Sequence, residues 1–271
     1  MVLTDAPCTY RTREAHWWEM GITWTLVLAG LLIGTLYGLF GVGSAFATPM
    51  LSLLGVTGMA AVVGPLPALL PGSAAGAWSY SRGGKVEWRI ARITLLAAFP
   101  AAVLGAIASR YVGGPILLLM SGVVLLVVGI RVVRPGTAVD PAVALARRSD
   151  LTFMVPAAAL IGFSSGLLAN GGGFLLVPLF LLALGLEMNE ASGTSLVVAA
   201  ALTVPTLVTH AFIGDIDWVI AGCFALGLVP GSIAGGQLAQ RLPTAKLRNA
   251  FGVVLVVFAV WYLARQLHAI F

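Results

Sequence analysis

Charged residues in this chain are gathered into short islands, and between the islands the sequence is almost continuously apolar. Apolar segments run over about 21–54, 60–80, 91–110, 113–133, 151–184, 191–213, 216–238 and 249–268. Most are near the ~20 residues that a helix needs to cross a hydrocarbon core of about 30 Å. Two are too long for one crossing: a helix of ~34 residues would reach about 50 Å at 1.5 Å per residue. Glycines interrupt both 21–54 and 151–184 near the middle. Each therefore reads as a helix that breaks within the membrane and continues as a short arm, over 44–57 and 174–186.

The two long segments also match each other. An offset of 128 carries Gly34 onto Gly162 and Gly38 onto Gly166, and one residue gained at the break brings Pro49 onto Pro178. From Gly55 onward the offset is 130: Gly84 meets Gly214, Trp88 meets Trp218, Pro100 meets Pro230, Gly105 meets Gly235 and Gly122 meets Gly252. A constant offset that matches tryptophans and prolines reads as an internal duplication. The chain divides into an N-terminal tail (1–20), a first membrane repeat (21–133), a basic linker (134–150) and a second repeat (151–271), the two repeats together forming one transport domain.

Charge then bears on orientation. Loop 82–92 carries Arg82, Lys85, Arg89 and Arg92, whereas its equivalent near 214–218 carries Asp215 and Asp217. The loop at Arg110 has one base, and its equivalent holds Arg241, Lys246 and Arg248. Cytoplasmic loops are enriched in Lys and Arg, so equivalent loops of opposite bias read as facing opposite sides. That favours inverted repeats, which require an odd number of crossings per repeat with the short arms counted. If the arms are re-entrant instead, each repeat has four spans and the repeats run parallel. The bases of linker 134–150, Arg147 and Arg148 among them, assign it to the cytoplasm. Trp17, Trp18, Trp24, Trp88 and Trp218 read as interfacial anchors, with buried packing as the alternative.

Composition agrees. Of 271 residues, 59% are hydrophobic and only 9% charged, with a mean hydropathy of +1.02. Soluble domains carry about 25% charged residues, so lipid is the solvent for most of this surface. The net charge of +5 has no soluble basic face to act from, which excludes nucleic acid as a partner. Cys8 and Cys223 form neither a ligand spacing nor a disulfide framework. The first 20 residues lack an apolar core and read as a tail, not a cleaved signal peptide. The expected fold is an all-α polytopic membrane protein. It has two homologous repeats of about four spans each, with one glycine-broken helix, discontinuous or re-entrant, per repeat.

Candidate chemistry lies at the breaks, Gly38-Leu39-Phe40-Gly41-Val42-Gly43-Ser44 and Gly166-Leu167-Leu168-Ala169-Asn170-Gly171-Gly172-Gly173-Phe174. Backbone freed from a helix finds no water in hydrocarbon and survives only when packed in protein or lining a cavity. What a break supplies is a new helix N-terminus, whose free N–H groups and partial positive charge suit an anion. The substrate-binding set is accordingly Gly41, Gly43, Ser44, Asn170, Gly171, Gly172 and Gly173, with Pro49 and Pro178 enforcing the breaks. Thr194 and Ser195 open the span after the second break and offer hydroxyls, or else cap that helix start. Tyr80 and His210 occupy matching positions, and His210 is a possible proton site against the plainer reading of an interfacial histidine. Gly30, Gly34 and Gly38, with Gly162 and Gly166, read as small-residue packing faces. No charged residue lies well inside an apolar stretch, so no carboxylate relay is expected. With no HExxH, Walker-A, nucleophile-elbow triad or Cys/His cluster, neither an enzyme nor a metal or other cofactor is expected.

The run Gly41-Val42-Gly43-Ser44…Pro49, with Asn170-Gly171-Gly172-Gly173-Phe174…Pro178 and Gly193-Thr194-Ser195, resembles the sulfite exporter TauE/SafE family over about 24–266. The resemblance implies a secondary transporter of small sulfur-containing anions, such as sulfite, sulfoacetate or related organosulfonates, in the bacterial inner membrane. The first break departs from the second, with Val42 where Asn170 or Gly171 would fall and Ser44 in place of a glycine, so the second carries more of the binding in this reading. Alternating access would come from one repeat rocking against the other. The expected partners are a small anion and the bilayer, with a homodimer as an open option. An anion or solute channel and a scaffold without transport activity are the alternatives.

Overall fold

A computed structural model describes residues 22–56, 63–108, 123, 126–127, 129–132, 141–167, 173–213 and 216–270. Among these, the regular elements are all helical. We label them α1 (Ile22–Phe40), α2 (Ser44–Leu53), α3 (Leu66–Arg82), α4 (Trp88–Ala108), α5 (Pro141–Ser149), α6 (Leu151–Leu167), α7 (Gly173–Leu182), α8 (Met188–Ile213), α9 (Trp218–Arg241) and α10 (Thr244–Ile270). Four stretches are long and apolar enough to cross a bilayer: α4, α9, Met188–Val208 of α8 and Thr244–Ala264 of α10. Residues Trp24–Phe40 of α1 form a shorter apolar helix.

Three helices start earlier than hydropathy suggested, α4 at Trp88 instead of 91 and two more as follows, because a helix continues past the hydrocarbon edge while apolarity does not. α8 opens at Met188 instead of 191, in a polar turn where the amide of Glu187 donates to Glu190 Oε2 (3.2 Å), half of a capping box. Thr194 and Ser195 therefore lie in its second turn and do not open it. α10 opens at Thr244 instead of 249, its first turns carrying Lys246 and Arg248. The linker also contains an element that the sequence reading left out, the helix α5. Pro141 stands at its first position, where a missing N–H costs nothing, and Arg147 and Arg148 close its last turn.

Close contacts fix the helix directions. Gly30, Gly34 and Gly38 of α1 lie against Phe224, Leu228 and Ser232 of α9, and Gly227, Gly231 and Gly235 of α9 lie against Val27, Leu31 and Thr35 of α1. The numbers rise together, so α1 and α9 run parallel. At each of these glycines an added Cβ would collide with the opposing backbone, which is how small residues let two helices approach. A second pair is built the same way: Gly162 and Gly166 of α6 meet Ala98 and Ala102 of α4, and Gly105 of α4 meets Phe163 of α6. These two helices are also parallel. Between the pairs, Gly76 of α3 faces Leu196 of α8 while Gly193 of α8 faces Tyr80 and the carbonyl of Lys85, so α3 and α8 are antiparallel.

The short arms double back. Phe40 packs on Phe251 and Phe46 on Phe258, so α2 descends beside α10 after α1 has ascended beside α9. At the end of α7, Arg148 of α5 donates from Nε to the Leu184 carbonyl (2.7 Å) and from Nη2 to that of Gly185 (2.8 Å). The C-terminal ends of α3, α7 and α9 and the starts of α4, α8 and α10 thus share one end of the bundle. That end carries Arg82, Lys85, Arg89, Arg92, Arg147, Arg148, Arg241, Lys246 and Arg248, whereas Asp217 caps the start of α9 at the other. By the cytoplasmic enrichment of Lys and Arg, the basic end is the one expected on the cytoplasmic side. Trp24, Trp88 and Trp218 are 74%, 53% and 63% exposed near helix starts, as interfacial anchors are and buried packing residues are not.

Candidate functional site

α1 stops because Gly41 adopts φ +71°, a left-handed conformation that costs a side-chain-bearing residue but not glycine. Its amide still closes the last turn onto the Tyr37 carbonyl (2.8 Å). Two residues later the carbonyl of Gly43 accepts from the amides of Phe46 (3.1 Å) and Ala47 (3.2 Å), and α2 begins. The carbonyl end of one helix and the amide end of another therefore meet across Gly41-Val42-Gly43. The acceptor side is covered: the buried Tyr80 hydroxyl donates to the Gly38 carbonyl at 2.8 Å and lies 3.3 Å from that of Leu39. The first-turn amides of α2 make up the donor side.

Hydroxyls from three helices surround this junction, all fully buried. The ring of Tyr37 fills the space that a side chain at Gly43 would need. Its hydroxyl lies near Ser73 but outside hydrogen-bonding geometry, while Ser73 itself donates to the Leu69 carbonyl (2.6 Å). Ser192 borders Gly41, and its Oγ lies beside Tyr80 but also has no hydrogen-bond partner. Ser195 Oγ, pressed against Gly41, is engaged with the Ser192 carbonyl at 2.9 Å. A buried hydroxyl without a partner costs about 1–3 kcal/mol. Among the described residues such atoms also occur on Thr94, Ser165, Asn189 and Ser232, but Tyr37 and Ser192 are the two whose residues touch the Gly41–Gly43 turn.

Among the residues expected at the site, Gly41, Gly43 and Ser195 come together here. Ser44 opens α2, and His210 lies in the last turn of α8; the side chains of both fall outside the described residues. Thr194 points elsewhere: its Oγ1 accepts from the Glu87 amide (3.0 Å), tying the α3–α4 connection to α8. Asn170, Gly171 and Gly172 lie outside the described residues, and Gly173 begins α7. Pro49 and Pro178 sit inside α2 and α7, five residues beyond each start. α2 and α7 touch, so the arms that follow the two glycine stretches meet. Tyr37 and Ser192 escaped the sequence reading. A tyrosine four residues before the glycine turn, in an otherwise apolar helix, is the signal that would have found the first. Among the described residues, no cluster of His, Cys, Asp and Glu is arranged to hold a metal ion.

Comparison with known proteins adds a family context. The model of the family described as "Sulfite exporter TauE/SafE" matches residues 26–262. A "Probable membrane transporter protein" of Xylella fastidiosa (strain 9a5c) is 31% identical over 246 residues, 88% of this chain and 94% of the relative. The "Probable membrane transporter protein YjnA" of Bacillus subtilis (strain 168) is 23% identical over 249 residues, 86% of this chain and 96% of the relative. No solved structure matches the chain with comparable significance.

Proposed function

The chain belongs to the sulfite exporter TauE/SafE family of multi-pass membrane proteins, and from that premise we propose that it is a secondary transporter of small sulfur-containing anions, sulfite or an organosulfonate such as sulfoacetate. The anion is held where α2 begins, by the first-turn amides of that helix and by the hydroxyls of Tyr37 and Ser192. The observation that carries this reading is the pair of unpartnered buried hydroxyls beside the Gly41–Gly43 turn. A helix N-terminus stabilises an anion by roughly 0.3–1 kcal/mol, and by up to about 2 when partly buried. Tyr80 favours the same sign of ligand, since its bond to Gly38 masks carbonyl charge that would repel an anion.

The repeat architecture belongs to the same proposal. Under the offsets of 128 and 130, the contact of Gly34 with Leu228 maps onto that of Gly162 with Ala98, and Gly38 with Ser232 onto Gly166 with Ala102. Equivalent helices run in opposite directions: α1 rises where α6 descends, and α3 rises where α8 descends. Two inverted repeats, 21–133 and 151–271, account for both facts, and inverted repeats with a site between them suit alternating access. The contact between α2 and α7 supports Asn170–Gly173 as the counterpart of the first site. The turn is tightly packed, with Ser192 and Ser195 against Gly41 and the Tyr37 ring against Gly43. The anion enters when α8 withdraws from the α1–α2 turn.

The test is uptake of sulfite and sulfoacetate by proteoliposomes, with Ser192→Ala and Tyr37→Phe beside the parent protein. Each hydroxyl lost from the anion should weaken apparent affinity about tenfold, the weight of a hydrogen bond to a charged group. Thermal stability without ligand should stay the same or rise, since an unpaired polar group is removed. Undiminished flux in both variants would rule out this site. Preference for a cation or neutral solute in a thermal-shift screen of sulfite, sulfate, thiosulfate, sulfoacetate and taurine would rule out the substrate class.

A further inference from the structure

At the basic end of the bundle, a cleft of about 380 Å³ opens between the last turns of α3 and α9. Arg82 and Gly83 form one wall and Gln237, Gln240 and Arg241 the other, with Trp78 at its side. Among the described residues, no carboxylate lines it. A base in the last turn of a helix complements the macrodipole, which accounts for each arginine separately. It does not account for two guanidinium groups opening on one cleft.

The walls are fixed. The Gln240 side-chain amide donates to the Ser79 carbonyl (3.2 Å) and the Gly236 carbonyl (3.0 Å), locking α9 to α3 at this level. Gly83 lies against Gln240 Oε1, so a side chain there would have to push aside the end of Gln240. The Arg82 guanidinium stacks 4.1 Å above the indole of Trp78, which orients its donors. Trp78 is half exposed, and Leu238 and Leu242 are exposed on the α9 side, so the cleft borders an apolar flank at interfacial depth.

We propose that this cleft binds the phosphate of an anionic phospholipid, with Arg82 and Arg241 on its oxygens and the acyl chains along Trp78 and Leu238. Two arginines without a neutralising acid call for an oxyanion. A soluble anion would have no use for the exposed indole and leucines beside it, whereas basic clefts between transmembrane helices on the cytoplasmic side suit lipid headgroups. The proposal does not rest on the transport reading, because none of the cleft residues is among Tyr37, Gly41, Gly43 and Ser192.

The experiment is native mass spectrometry of the detergent-purified full chain with phosphatidylglycerol or phosphatidylcholine, each with and without excess inorganic phosphate. Phosphatidylglycerol should be retained preferentially, and phosphate should not displace it. Arg82→Gln and Arg241→Gln should each lower its retention about tenfold, the worth of one charge-assisted contact. Gln237→Glu, an exposed change that leaves both arginines in place, should lower it as well, and it decides the matter if the arginine variants do not fold. Equal retention of the two lipids, or undiminished retention in the variants, would overturn the proposal. Displacement by inorganic phosphate would overturn it too, by making a free anion the occupant.

Discussion

The Tyr80 hydroxyl closes the carbonyl end of α1 by donating to Gly38 at 2.8 Å, across 42 residues of sequence. Gly38 lost its own helical donor when Gly41 turned the chain, and a side chain from α3 takes that donor's place. A buried carbonyl left open there would cost about 1–3 kcal/mol. Tyr80→Phe keeps the ring and removes only the donor. The variant should therefore melt earlier in detergent, and a melting temperature equal to the parent's would mean the bond contributes nothing.

The glycines of the α1–α9 seam differ sharply from one that only looks similar. Gly34 lies on the backbone of Leu228, whereas Gly222, also in α9, has no neighbour within 4 Å of an added Cβ. Gly34→Ala should destabilise by about 1–3 kcal/mol through overpacking. Gly222→Ala should be neutral or stabilising by up to about 1 kcal/mol, because it only improves helix propensity. Size-exclusion profiles after graded heating would check the pair, and equal effects would count against the seam.

Single cysteines in a background without Cys8 and Cys223 test the helix directions. Lys85→Cys and Lys246→Cys should react with an impermeant maleimide only when the cytoplasmic face is opened. Asp217→Cys should react from the outside of intact cells. Labelling of all three from one side would exclude the arrangement described here.

Asp150 precedes α6, and hydrogen bonds from the Thr152 hydroxyl (2.6 Å) and amide (2.9 Å) hold its carboxyl below the ordinary carboxylate range. A folded-state pKa below the unfolded value contributes stability above the unfolded pKa and loses it as pH falls through the folded one. The stability gap between the parent and Asp150→Ala should thus be constant from about pH 5 to 8. It should close only below the usual value of 3.8. A gap that changes near neutrality would require another titrating group.

Much of this architecture could be read from the sequence. Of the eight apolar segments, four correspond to helices long and apolar enough to cross a membrane among the described residues, and the glycines of 41–43 marked the first turn, where Gly41 takes the left-handed conformation. What escaped were relations between distant residues. Neither Tyr37 nor Ser192 announces itself as polar equipment until α1 and α8 are set side by side. Thr194 looked like a ligand and is a strut for Glu87. α5 was missed because its nine residues are too polar on average to register as an apolar segment.

The glycine seams have a consequence for how the molecule divides. α1 comes from the first half of the chain and is seated on α9 from the second, while α6 of the second half is seated on α4 of the first. Each seam is backbone against backbone, with no side chains between to slide or repack. A motion that pulled the sequence halves apart would tear both seams at once. The units that stay rigid are therefore hybrids, each assembled from both ends of the gene, and a half produced alone would lack the surface on which its first helix sits.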